Sequence, residues 1–272
     1  MEIDCAIKAA VLREWLKRID VVRDEFKLVV SETGFYMKAI DPARVMMLET
    51  TLDRNAFETF LFKTEGSHEA IYIDTGHFDS IWRNLPPTGL IHIVYPFREG
   101  VEKTGGAQEI REYLYIEYSG IERLVEIYPQ ELVEMGDADF KIPNLTFKNK
   151  VTIPISEILK IAQEIKVKSD HLRIKCRKTG IVIDKCSCNS DTRVKIRKFF
   201  KSETLEGYYY AEDTSSIFSM DYLVKLIKSL SKTTPILELD QDFPMRIRWD
   251  QTFGQDIVGH GMFILAPRIE ND

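Results

Sequence analysis

One pattern occurs twice in this chain, 146 residues apart, and any fold it adopts must accommodate both copies. Lys8 to Ile19 has Val11, Leu12, Trp15, Leu16 and Ile19 at helical spacing on one stripe. EFKLVVSETGFYMKAID follows, with alternation at Phe26, Leu28 and Val30, a turn at Glu32-Thr33-Gly34, and a return through Tyr36 and Lys38. That is a hairpin, with Gly34 supplying a positive φ. Pro154 to Ile165 repeats the helix through Ile158, Leu159, Ala162 and Ile165. HLRIKCRKTGIVIDKCS repeats the hairpin, with Leu172, Ile174 and Cys176 alternating, a turn at Thr179-Gly180, and Val182 and Asp184 returning. A second pair of helices follows in the same order. Phe78, Ile81, Trp82 and Leu85 precede the apolar run Leu90 to Tyr95; Tyr222, Leu223, Leu226, Ile227 and Leu230 precede Ile236 to Leu239. Four matches in order indicate a tandem duplication.

The rest of the chain reads as short strands: Met46 to Leu52, Phe57 to Phe62, Tyr113 to Tyr118, Leu124 to Tyr128, Arg193 to Phe200, Gly207 to Ala211, Met245 to Trp249 and Met262 to Leu265. The expected class is therefore α+β: two similar domains, each of antiparallel sheet with two helices on one side. The boundaries fall at 1–128 and 148–272. Between them, 129–147 (PQELVEMGDADFKIPNLTF) has no period, carries Glu131, Glu134, Asp137 and Asp139, and holds Pro129 and Pro143. A gap of that kind is ordinary between domains. Arg98 to Gly106, charged and glycine-rich, reads as a mobile loop.

Little in the sequence points to catalysis. No G-x-x-x-x-G-K-S/T, G-x-G-x-x-G or G-x-S-x-G occurs. None of His68, His77 and His260 sits beside a Ser or Cys in a nucleophile-like turn, and Asp41 reads as a loop residue bonding its own backbone. The linker acids lack EF-hand spacing, so no metal, cofactor or catalytic residue is expected. Cys5, Cys176, Cys186 and Cys188 form no disulfide framework and suit a reducing, intracellular compartment. Cys186 and Cys188 alternate onto one strand face, as buried structural thiols do. No apolar run approaches the ~20 residues that span a bilayer, and MEIDCAIKAAVLREWL is too charged for a signal peptide.

The net charge of −6 conceals segregation. The first helix carries Lys8, Arg13, Lys17 and Arg18 against Glu14; the last carries Lys225, Lys228 and Lys232 against Asp221. Arg83 and Lys160 belong to the other two, with Lys166 and Lys168 just beyond the third. A basic helical surface without interleaved aromatics suits phosphate contact rather than base readout. Among the strands, Tyr113 to Tyr128 is studded with Glu112, Glu117, Glu122 and Glu126, whereas Arg193, Lys195 and Arg197 alternate with Val194 and Ile196. If these are two sheet edges, they are of opposite charge and can pair between copies. Such a contact is heterologous and closes into a ring or runs on as a filament.

The chain also resembles a known family. Ile264-Leu265-Ala266-Pro267-Arg268-Ile269-Glu270 is similar to the terminal L-A-P-[KR]-[IFL]-E of DNA sliding clamps of the proliferating cell nuclear antigen type, found in archaea and eukaryotes. Ala39-Ile40-Asp41-Pro42-Ala43-Arg44-Val45 is similar to the family's A-M-D-x-[AS]-[HR]-V, and Asp242-Phe243-Pro244-Met245 and Phe140-Lys141-Ile142-Pro143 fall in the expected order. The resemblance implies a non-enzymatic processivity factor: a ring of three subunits around duplex DNA, binding it without sequence specificity. It implies partners (polymerase, flap nuclease, ligase and clamp loader) held through short peptide motifs, and no membrane. The peptide pocket it implies comprises Ile40, Arg44, Val45 and Met47, then Phe140, Ile142 and Pro143, then Phe243, Pro244, Ile264, Leu265, Ala266 and Pro267. The DNA-facing set would be Lys8, Arg13, Lys17, Arg18, Arg83, Lys160, Lys225 and Lys228, and the subunit interface Tyr113, Tyr115, Glu117, Arg193, Lys195 and Arg197. Ser80, Gln163 and Asp221 stand where relatives often have Lys or Arg. That departure keeps a second expectation open: one subunit of a heterotrimeric or checkpoint-type ring.

Overall fold

The computed structural model describes residues 2–22, 25–64, 66, 68–74, 82–102, 108–126, 141–186, 195–230 and 233–268. The chain divides into two compact units. The first comprises Met1–Ala39, Glu49–Phe140 and Gln251–His260; the second comprises Ile40–Leu48, Lys141–Asp250 and Gly261–Asp272. Each unit thus takes a short segment from the opposite half of the sequence, 251–260 in the first and 40–48 in the second.

The first half of the chain runs β1 (Glu2–Lys8), α1 (Ala9–Ile19), β2 (Glu25–Ser31), β3 (Gly34–Ile40), β4 (Met46–Asp53), β5 (Phe57–Lys63), β6 (His68–Asp74), β7 (Leu90–Glu102), β8 (Gln108–Tyr118) and β9 (Ile121–Glu126). A five-stranded sheet in the first unit has the order β5-β1-β7-β8-β9, and a second stretch of sheet runs β6-β2-β3-β4. The second half runs β10 (Asn149–Thr152), α2 (Ile155–Lys166), β11 (His171–Arg177), β12 (Gly180–Lys185), β13 (Arg197–Lys201), β14 (Glu206–Tyr210), β15 (Thr214–Ser219), α3 (Met220–Ser229), β16 (Ile236–Leu239), β17 (Met245–Phe253) and β18 (Asp256–Leu265). The second unit holds a four-stranded sheet, β13-β12-β11-β15, and a stretch ordered β14-β10-β16-β17.

The duplication is visible in backbone detail. Gly34 and Gly180 open the second strand of each hairpin with φ of 129° and 138°. A Cβ on Gly34 would lie 2.1 Å from the Leu52 carbonyl oxygen, and one on Gly180 2.0 Å from that of Phe200. Only glycine permits so close a crossing at such a φ. Thr33 then accepts the Arg54 N–H at 2.7 Å, and Thr179 accepts the Ser202 N–H at 2.9 Å. Each of those donors starts a 3-10 turn, Arg54–Ala56 and Ser202–Thr204. By this correspondence β13 is the counterpart of β4, and β9, the last strand of its half, that of β18.

The helices form because each can bury an apolar stripe. α1 buries Val11, Leu12, Trp15, Leu16 and Ile19, and α2 buries Ile155, Ile158, Ile161, Ala162 and Ile165. α3 buries Leu223, Val224, Leu226 and Ile227, and it packs on α2. These are the three α-helices among the described residues; the expected helix over Phe78 to Leu85 lies outside them as far as Ile81. Four strands, β1, β6, β10 and β15, have no residue range in the sequence reading. Arg98 to Glu102 corrects it as well: these residues are not loop but continue β7, pairing with Glu112 to Gln108 of β8. The remainder of that expected loop, 103–106, lies outside the described residues.

Candidate docking and nucleic-acid surfaces

The residues expected to receive a peptide, Phe140 apart, fall in the second unit. The 41–46 segment is a loop built by Asp41, whose backbone N–H bonds the Met46 carbonyl at 2.9 Å. Arg44 takes a left-handed φ of 56° and donates its N–H to the Asp41 carbonyl at 2.8 Å. The next residue ties the loop to the C-terminal segment, because the Val45 carbonyl accepts the Ala266 N–H at 2.8 Å. Two residues on, Arg268 donates to the Ile217 carbonyl at 2.7 Å. Phe243 is held by its N–H on Ser216 Oγ at 3.2 Å and by an edge contact with Phe147, with ring centroids 5.6 Å apart. The Arg246 guanidinium lies over Phe147, 4.7 Å from its centroid.

Burial sorts these residues. Arg44 and Pro143 are exposed, and Val45, Met47, Ile142, Phe243, Pro244, Ala266 and Pro267 are half-buried. Ile40, Ile264 and Leu265 are corrections, since all three lie in the core (Leu265 fully) and support the wall from behind rather than facing a ligand. β18 ends in three successive buried residues, Phe263, Ile264 and Leu265, so both faces of its last stretch are covered. Phe140 and the linker before it lie outside the described residues.

The basic residues meet different fates. Arg18 corrects the sequence reading: it is 2% exposed, its guanidinium bonds the Gln251 side chain, and burial lowers its pKa to about 10 against the opposing pull of Glu14. It cannot face DNA. Lys8 ends β1 and pairs with Glu58 at 2.7 Å, its ammonium 4.8 Å from the Phe253 centroid. Arg13 donates to the Leu85 carbonyl at 2.9 Å, and Arg83 pairs with Asp20 at 3.5 Å. Lys17 is half-buried. On α2, Lys160 pairs with Glu157 at 2.9 Å. Lys166 meets Asp221 of α3 at 3.1 Å, while Lys225 and Lys228 of α3 are exposed.

The expected interface residues divide too. Tyr113, Tyr115 and Glu117 are on β8, which β7 and β9 flank on both sides, so the sheet edge is β9 and not the strand that carries them. Both strands mix acids with apolar residues, and pairing alone decides which is outermost. Tyr115 Oη donates to Glu122 of β9 at 3.1 Å, and its ring stacks on Phe97 at 5.0 Å. At the other edge, Arg197 begins β13 and Lys195 stands just before it, both exposed; Arg193 lies outside the described residues. Each edge also presents apolar surface that the sequence reading missed: Ile121 and Leu124 on β9, Phe199 on β13. A cleft of about 520 Å³ beside β13, lined in part by Pro154, Glu157, Lys198 and Glu206, is remote in sequence from the 41–46 loop and gathers no catalytic constellation.

The thiols are quiet. Cys5, Cys176 and Cys186 are buried and in no disulfide, and burial holds Cys5 up at about 12 and Cys176 at about 11. Cys188 lies outside the described residues. Among the described residues no helix is long and apolar enough to cross a membrane.

Four likenesses to known proteins bear on these surfaces. A family model described as the C-terminal domain of proliferating cell nuclear antigen matches residues 141–268. The DNA polymerase sliding clamp of Natronomonas pharaonis is 24% identical over 270 residues, 98% of each chain. Among solved structures, A. fulgidus PCNA bound to the C-terminal region of FEN-1 has a TM-score of 0.82 at 21% identity, covering 99% of this chain and 100% of that one. A PCNA2-PCNA3 complex from Sulfolobus tokodaii has a TM-score of 0.71 at 19% identity, covering 98% and 99%.

Proposed function

Because the chain belongs to the proliferating cell nuclear antigen family of DNA polymerase sliding clamps, a family without enzymatic activity, we propose that it closes with further copies into a ring around duplex DNA. The observation that supports the ring is the state of the sheet edges. β4 has β18 as its neighbour. Within the first unit Thr50 and Thr51 bond the backbone of His260, and within the second Val45 bonds Ala266. The repeat puts β13 in the place of β4 and β9 in the place of β18, and each is the outer strand of its own sheet. The β9 of one copy can therefore pair with the β13 of the next as β18 pairs with β4. Glu117 and Glu122 would meet Arg197, Lys198 and Lys201, with Ile121 and Leu124 facing Phe199. An association of this kind is heterologous and closes when the rotation per copy allows; three copies are the number we propose, as the family resemblance implies.

DNA would pass through the ring, held without base readout by exposed lysines such as Lys225 and Lys228 of α3. Partners would dock at Val45, Met47, Ile142, Phe243, Pro244, Ala266 and Pro267, where an aliphatic or aromatic anchor finds half-buried apolar surface. A flap nuclease is the first candidate, by analogy with the A. fulgidus complex, and polymerase, ligase and clamp loader would use the same wall.

A second reading, a ring of unlike subunits, is favoured by the Sulfolobus relative and by the way Arg13 and Arg83 are engaged within their own chain. Size-exclusion chromatography with light scattering on the pure chain at micromolar concentration separates the two. Three times the chain mass is expected; a stable monomer would overturn the homotrimer and leave the mixed ring.

A further inference from the structure

The carboxylate of Asp41 is buried at 5% exposure, so its charge has to be met by donors. It has four. Oδ1 accepts the Val45 N–H at 2.7 Å and the Met46 N–H at 2.5 Å. Oδ2 accepts the Ala43 N–H at 3.1 Å and the Tyr222 hydroxyl at 3.2 Å. The first three are local and shape the loop, as Asp side chains do in turns. The fourth arrives from α3, 181 residues away in sequence and inside the same unit.

That loop is not held by its own conformational preference. Arg44 sits in the left-handed region, which costs a residue with a Cβ about 1 kcal/mol or more. Its shape depends on the carboxylate, and Tyr222 supplies the one donor to that carboxylate from outside the loop among the described residues. From Asp41 the linkage continues through the Val45 backbone to Ala266. The Tyr222 hydroxyl is a donor at neutral pH as any tyrosine is, and burial and the adjacent Asp41 charge raise its pKa further.

We infer that Tyr222 is a positioning residue for the peptide-docking wall, orienting Asp41 so that Ala43 to Met46 and the Ala266 segment present Val45, Met47 and Pro267 to an incoming anchor. The inference rests on the docking surface proposed above. Tyr222 also stands one turn before Lys225 and two before Lys228, so a single hydrogen bond joins the basic helix to the docking loop.

The test uses the full chain and a fluorescently labelled peptide of the C-terminal region of A. fulgidus FEN-1 as probe. Tyr222→Phe removes one oxygen and keeps the ring. It is expected to weaken the peptide about fivefold or more, through faster release, as loss of a hydrogen bond to a charged acceptor implies. Oligomeric state should be unchanged, the thermal midpoint should fall by no more than a few degrees, and amide exchange should quicken at Ala43 to Met46 and Ala266 but not along Lys225 to Ser229. Faster exchange throughout α3 would mean that the hydroxyl merely supports the helix, and would overturn the inference. Val45→Glu is the control for the surface itself. If that variant abolishes binding while Tyr222→Phe binds like the parent, the surface stands and the role of Tyr222 falls. If the parent chain does not bind the peptide, both fall.

Discussion

The guanidinium of Arg18 donates to Oε1 of Gln251, a residue 233 positions later in the chain, and Gln251 passes its own Nε2–H to the Val11 carbonyl at 2.9 Å. Both side chains are buried, at 2% and 3% exposure. The pair pins the 251–260 segment to α1 inside the first unit. Arg18→Ala should therefore cost about 1–3 kcal/mol by leaving Gln251 unsatisfied, read as a shift in the urea midpoint. DNA affinity and its salt slope should stay as they are; a lower slope would return Arg18 to the DNA surface.

Gly34 and Gly180 should be equally intolerant of alanine. Each has a φ beyond +120° and a backbone oxygen about 2 Å from where the Cβ would lie. The conformation alone costs about 1–3 kcal/mol, and displacing the carbonyl adds to it. Denaturant unfolding of the two single variants should give similar losses. A loss at only one site would contradict the equivalence of the two hairpins.

Exposed residues at the two edges offer a test of assembly that leaves each subunit folded. Leu124 of β9 and Phe199 of β13 are 40% and 43% exposed, so Asp at either position disturbs little within the chain. Either Leu124→Asp or Phe199→Asp should convert rings to monomers of native circular dichroism. An unchanged assembly mass would refute the edge pairing.

Lys225 and Lys228 are exposed one turn apart on α3. Replacing both with Ala should lower the magnitude of the slope of log affinity against log salt by about 2, since each neutralised phosphate accounts for about 0.9. Binding by the loaded ring is the measurement, and an unaltered slope would remove α3 from the DNA surface.

Glu238 gives the acid limb of the stability profile a specific source. Its buried carboxylate accepts from Arg246 and, at 3.0 and 2.9 Å, from Arg248. Burial pushes its pKa up, but the two guanidiniums outweigh that and hold it below the usual glutamate range. A depressed folded pKa contributes stability above the unfolded value near 4.3 and loses it as pH falls through the folded one. Glu238→Gln should thus be less stable at neutral pH, and the gap to the parent should narrow below about pH 4. A pH-independent gap would assign the effect to packing alone.

Much of this was legible in the residues because the signals are local. Periodicity located α1, α2 and α3 and most strands, and Thr33-Gly34 and Thr179-Gly180 exposed the duplication, since a left-handed turn and a 3.6-residue stripe are properties of a short window. The 39–45 and 264–270 segments were recognisable as motifs for the same reason. What the residues left open depends on strand pairing and burial. Arg18 reads like any other base on the first helix until the distant 251–260 segment covers it. Tyr115 and Leu124 stand on strands of like composition, and only hydrogen bonding across β7, β8 and β9 makes the latter the edge. Asp41 looked like a residue serving its own backbone, and it is one. Its fourth donor, Tyr222, could come only from a fold that brings α3 beside the loop.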